Sequence, residues 1–212
     1  MKPSIPSRSF SLTLAATLAC LLPLTQVKAQ EKLSRDETRA YARAVSANPA
    51  QLNGTPIATE VDIQQAVALR DGDYGGMILP QKNLTPDALA QIGESPVPIG
   101  QLWLYRLAPM RHGQAVSSSS LRLVTVRSGD ETATVPQCAL ALRRSTQGTL
   151  ELAVYGKDPS PILSVPVQST NRPQQSPPID MSARRDAEAG YLTLNILGRY
   201  QATLPLTELN PY

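Results

Sequence analysis

Apolar residues recur at every second position through the C-terminal half of the chain. Leu102 and Leu104 alternate with Trp103 and Tyr105, and Cys138, Leu140 and Leu142 share one face. Leu150, Leu152 and Val154 alternate with Glu151, Ala153 and Tyr155. The same period continues in Leu163, Val165 and Val167, in Leu192, Leu194 and Ile196, and in Tyr200, Ala202, Leu204 and Leu206, while Leu121 to Val126 is densely apolar. Side chains on a strand point alternately to its two faces, so this pattern predicts seven strands between Ile99 and Leu206, punctuated by Gly, Pro and Ser turns. Spacing of that kind belongs to an antiparallel β-sandwich or a small barrel. Pro136, Pro166 and Pro205 fall inside these strands. Proline has no N–H to give to a ladder, so each should lie at an edge or a bulge.

The N-terminal half follows other periods. Ser34-Arg35-Asp36-Glu37 is a capping box, and it predicts a helix from Arg35 to Ser46 with Ala40, Tyr41, Ala44 and Val45 as its apolar face. Asn48-Pro49 ends that helix. Thr59 to Leu69 reads as either helix or strand, and Gly76 to Pro80 as a short strand. Thr85-Pro86-Asp87 has the cap, first-turn proline and early acid of a helix start, with Gly93 as its stop. The predicted organisation is an arm with one helix at 30–58 and a single globular domain at 59–209. Within that domain, 59–98 is a mixed α/β cap and 99–207 a β-sandwich.

Residues 1–29 read as a secretory signal. Lys2 and Arg8 precede the apolar stretch Phe10 to Leu22, Pro23 breaks it, and Val27-Lys28-Ala29 offers the cleavage site. The stretch is 13 residues long, whereas a membrane-spanning helix needs about 20. A lipid anchor at Cys20 is disfavoured, because Thr17 stands where the lipoprotein pattern takes Leu and Leu21, Leu22 and Leu24 carry the apolar run past the cut. Removing the signal changes the charge. Of 20 basic residues it takes Lys2, Arg8 and Lys28, leaving 17 against 17 acids. A neutral exported chain has no overall field to draw in nucleic acid. It also keeps one thiol, Cys138, so no internal disulfide can form, and the apolar flanks of that residue predict burial.

Little catalytic chemistry survives inspection. His112 is the sole histidine and sits in a turn sequence, Met110-Arg111-His112-Gly113-Gln114. Gly93-Glu94-Ser95-Pro96-Val97 starts like a nucleophile elbow but lacks the second Gly. Ser117 to Ser120 reads as a solvated loop. Asp71-Gly72-Asp73-Tyr74-Gly75-Gly76 fails as an EF-hand loop, because Gly75 and Lys82 stand where oxygen ligands are required. Asp71 and Asp73 remain as metal-ligand candidates, although Asp-Gly is equally what a tight turn uses. Arg143-Arg144 and Arg184-Arg185 read as a solvated rim. No catalytic or cofactor-binding residue is identified.

The run Leu102-Trp103-Leu104, Pro109, Gly113, Val116, Leu121-Arg122-Leu123 resembles the strand–loop–strand openings of immunoglobulin-like sandwich domains. The mature chain is similar to small exported bacterial proteins of that fold that accompany type IV pilus or envelope-assembly systems. The resemblance implies an immunoglobulin-like antiparallel β-sandwich with a small α/β N-terminal extension. It also implies a non-enzymatic binding role, in the periplasm or at the cell surface, toward an envelope or pilus protein. Two other functions fit an exported β domain, a carboxylate-dependent hydrolase of cell-wall or glycan substrates and a small-ligand carrier. A close carboxylate pair in a cleft would mark the first and a closed apolar cavity the second. An open edge strand would mark a binder.

Overall fold

The computed structural model describes residues 30–90, 92–173, 175–186 and 189–209. The predicted signal at 1–29 and its cleavage site lie outside them. In chain order the elements are β1 (Glu31–Lys32), α1 (Arg35–Ser46), α2 (Pro49–Leu52), β2 (Val67–Asp71), β3 (Tyr74–Pro80), β4 (Val97–Tyr105), β5 (Leu107–Arg111) and β6 (Gln114–Ala115). There follow β7 (Arg122–Ser128), β8 (Glu131–Arg144), β9 (Leu150–Tyr155), β10 (Pro161–Ser169), β11 (Ile179–Arg185), β12 (Gly190–Ile196) and β13 (Tyr200–Glu208). The chain is mainly β, and among the described residues no helix is long and apolar enough to cross a membrane.

The strands form one curled antiparallel sheet in the order β1-β2-β3-β4-β8-β9-β10-β13-β12-β11, with β7 beside β8 and β5 beside β13. Two strand paths carry the curl. β10 pairs with β9 through Pro161 to Pro166 and then with β13 through Val167 to Ser169. β4 pairs with β3 and β8, and after a left-handed Arg106 (φ 57°) the chain continues as β5 against β13. The inner face encloses the main core, in which Ile78, Leu102, Leu104, Leu140, Leu152, Ile179, Leu194 and Leu204 are essentially inaccessible to water. The two ends of the curl meet through side chains: Lys32 pairs with Asp180, and the Ala183 N–H donates to Gln30 Oε1 at 2.6 Å.

The outer face of the first strands is covered too. Ala42 and Val45 of α1 pack on Ala68, Met77, Leu79, Trp103, Val124 and Val135. Strands β2, β3 and β4 are therefore buried on both faces, and Val67-Ala68-Leu69 and Met77-Ile78-Leu79 are continuous apolar runs for that reason. The segment that read either way, Thr59 to Leu69, divides into a short 3₁₀ turn at Ile63–Gln65 and the strand β2.

α1 occupies the predicted span, and its capping box is formed: Ser34 Oγ accepts from Glu37 N–H, and Glu37 accepts from Ser34 N–H at 3.1 Å. The buried face differs from the expected one. Thr38, Ala42 and Val45 face the sheet, whereas Ala40 is exposed and Tyr41 is 47% exposed. The small Ala42 lets the helix axis lie close to the strands, and a tyrosine at that contact would hold it off. The predicted helix from Thr85 is also corrected. Thr85 Oγ1 does accept from Ala88 N–H, but the segment makes only i→i+3 turns, Leu89 to Pro86 and Ala90 to Asp87. A run this short offers too few residues to propagate past nucleation. It serves instead to drop Leu84, Leu89 and Ile92 into the end of the core.

β5 and β11 were not anticipated. β11 carries a clear alternation, Ile179, Met181 and Ala183 against Asp180, Ser182 and Arg184. The prolines obey their constraint. Pro136, Pro166 and Pro205 each have one ladder partner, Leu123, Glu151 and Tyr191 respectively, and none on the other side among the described residues. Pro98 sits at a register shift beside Gly100, where an added Cβ would collide with the Leu79 carbonyl oxygen.

Candidate functional site

The chemically suggestive residues of the sequence are dispersed. Asp71 and Asp73 belong to the β2–β3 hairpin, whose turn is Gly72-Asp73. Asp73 Oδ2 lies 3.5 Å from Arg106 Nη1, with its side chain 83% exposed. Among the described residues no group of three or more His, Cys, Asp or Glu is arranged to hold a metal ion. His112 is exposed and left-handed (φ 53°), the first turn residue of the β5–β6 hairpin. Ser118–Ser120 form a short 3₁₀ turn capped by Ser117, and no hydrogen bond joins them to His112 among the described residues.

Cys138 is fully buried on the inner face, where desolvation pushes its thiol up to about 12. It stays protonated near neutral pH and is shielded from reagents. The arginine doublets make internal contacts. Arg143 faces Glu151 across the ladder at 3.5 Å, Arg144 donates to the Gly148 carbonyl at 2.9 Å, and Arg184 and Arg185 lie over the rings of Tyr191 and Tyr74.

A polar cluster was missed in the sequence. On the outer face, Gln101 donates to the Leu52 carbonyl (2.8 Å) and to Thr59 Oγ1 (2.7 Å). Gln137 donates to the same carbonyl (3.1 Å) and to Gln101 Oε1 (2.8 Å). Both glutamines are fully buried. They fasten the end of α2 to the sheet, and an amide in the middle of an apolar strand was the available signal. Beside them, Arg122 tucks under Gly54, where an added Cβ would collide with its Nη2.

The most distinctive surface is the hairpin of β7 and the first half of β8. α1 covers one of its faces through Val124 and Val135, while Leu123, Thr125, Arg127, Thr132 and Thr134 on the other are all exposed. β7 pairs with β8 alone, so its second edge has no ladder partner among the described residues. Which groups face that edge follows from Pro136. It stands opposite Leu123 and has no N–H, so this is a non-hydrogen-bonded pair. By alternation the N–H and C=O of Leu123, Thr125 and Arg127 turn away from β8 and toward solvent. The unpaired segments of β8, β10 and β13 carry Pro136, Pro166 and Pro205, whereas β7 holds neither proline nor lysine. Edges are usually blunted by such residues, and this one is left available. No family model, curated protein or solved structure matches the chain.

Proposed function

We propose that this protein is an exported, non-enzymatic binding component of the cell envelope, in the periplasm or at the cell surface, and that it holds its partner by strand addition at β7. The two halves of the curled sheet, facing each other across one core, support an immunoglobulin-like sandwich as the narrower description of the fold. A type IV pilus accessory is the narrower form of the functional proposal. The observation that carries the binding reading is the open β7 edge, with three outward-facing backbone pairs and Leu123 43% exposed beside them. An extended segment that pairs there gains main-chain hydrogen bonds, and the side chains set its identity. The complementary segment carries an apolar residue next to Leu123 and an acid next to Arg127.

Photocross-linking in intact cells tests this. A photoreactive residue at Thr125 should trap one envelope protein, whereas the same residue at exposed Lys82 should not. Thr125→Pro removes an outward N–H while sparing the β7–β8 ladder, and it should abolish capture by a photoreactive residue placed at Arg127. Equal capture with and without the proline would overturn strand addition.

A further inference from the structure

A cavity of about 380 Å³ lies between the first turns of α1, the turn at Ile63–Gln65, the start of β2 and Ser176-Pro177. Lys32, Arg35 and Arg39 line it together with Gln64 and Gln65, and among the described residues no carboxylate belongs to its lining. Of the acids nearby, two pair with lining cations and a third is held in the helix cap. Asp180 pairs with Lys32. Asp36 is 98% exposed and 3.9 Å from Arg39, a separation at which an exposed pair holds little. Glu37 is committed to the cap, and its hydrogen bonds from Ser34 hold its carboxyl below the usual value. Arg35 has no ion-pair partner among the described residues. Lys32 is neutralised by Asp180, so the cavity's positive charge is that of Arg35 and of the weakly paired Arg39, and the potential these two sum to favours an anion between them.

The shape is held by elements packed independently of the cavity. Ala42 and Val45 seat α1 on the sheet, and Gln175 ties the 175–178 segment to the Asn195 carbonyl. We propose that this cavity binds a small anionic ligand, a carboxylate or phosphate carried on a polar body. Arg35 and Arg39 take the charge, and Gln64 and Gln65 hydrogen-bond the body. At about 380 Å³ the space lies at the small end of ligand sites, which run about 300–1,000 Å³, and suits a molecule the size of a monosaccharide acid or sugar phosphate. This site shares no residue with the β7 edge and stands whether or not β7 binds a partner.

The test is an NMR titration of the purified exported protein with D-glucuronate, inorganic phosphate and neutral glucose. Amides of 32–39, 64–68 and Ser176 should shift with an anion and stay unmoved by glucose. A response to glucuronate points to a carboxylate source and one to phosphate alone to a phosphate source; either upholds the site. The double variant Arg35→Gln/Arg39→Gln, the first position exposed and the second half-buried, should weaken binding about tenfold or more, the scale of losing charge-assisted hydrogen bonds. Arg144→Gln, at the far end of β8, should leave it unchanged. Equal shifts with glucose would overturn the proposal. So would shifts scattered over surface cations, or binding that the double variant leaves intact. The localisation in the unmodified protein decides the matter even if the double variant folds poorly.

Discussion

The two halves of β8 behave as different materials. From Gln137 to Leu142 the strand has β4 on one side, and from Ala139 to Arg144 it has β9 on the other, with its side chains buried on both faces as far as Leu142. From Glu131 to Pro136 it has β7 alone among the described residues, and the face of Thr132 and Thr134 is bare. A residue in the first setting contributes apolar burial and two ladders, and one in the second contributes a single ladder and a surface. One strand thus joins a stabilising segment to a presenting one. The rigid half fixes the direction of the half that projects.

The largest expected effect is a direct break of that contrast. Leu140 is completely buried, whereas Leu123, on the strand paired with the outer half, is 43% exposed. Leu140→Ala removes methyl groups from a core with water on no side, and it should cost about 2–5 kcal/mol in denaturant unfolding. The same substitution at Leu123 should cost less than about 1 kcal/mol. Similar losses at the two positions would mean that the projecting hairpin is covered in the folded protein.

An intermediate effect comes from Cys138, within the buried half. Its folded value is raised from 9.0 to about 12 by desolvation. The unfolded chain therefore ionises this thiol first. Its contribution to stability is fully present below pH 9 and is lost as the pH climbs toward 12. In that window each pH unit should remove up to about 1.4 kcal/mol. Cys138→Ala should flatten the alkaline slope of chemical-denaturation stability, even though its cavity lowers stability at neutral pH. An unchanged slope would show that the thiol is reached by solvent.

How much of this was legible in the sequence depended on which faces were covered. β9, β12 and β13 alternate cleanly, and period two located them. β2 carries apolar side chains on both faces because α1 covers the outer one, so periodicity could not separate strand from helix there, whereas β3, equally apolar, was readable as a short strand from its length and its closing proline. β11 had the right alternation but was hidden behind a proline-rich stretch and an arginine doublet that read as rim. The helix was locatable from its cap alone. Its docking face was not, because Thr38 and Ala42 are weak hydrophobic signals whose burial is decided by the sheet opposite. The proline positions were informative twice over: they marked unpaired segments, and Pro136 also fixed which backbone groups of β7 face outward. The polar features were less legible. Gln101 and Gln137 become partners only across the β4–β8 ladder, and Arg35 and Arg39 become a cavity wall only when 175–178 folds back beside them.

The smallest expected effect on stability sharpens the comparison most. Thr125→Pro places a ring where the N–H points away from β8, so no hydrogen bond of the β7–β8 ladder is lost. Its φ near −65° departs from ideal strand values, and Val124 before it is already extended, as a residue preceding proline must be. The folded protein should therefore lose no more than about 1 kcal/mol, with its thermal midpoint nearly unmoved. The matched change one residue away, Val124→Pro, removes an N–H that does bond to β8 and disturbs the contact with α1. It should cost about 3 kcal/mol or more. If the two prolines destabilise equally, the assignment of outward groups on β7 is wrong, and the edge offers the other set of residues, Arg122, Val124 and Val126. If they differ as expected while Thr125→Pro also stops cross-linking, the loss of binding comes from the edge itself and not from unfolding.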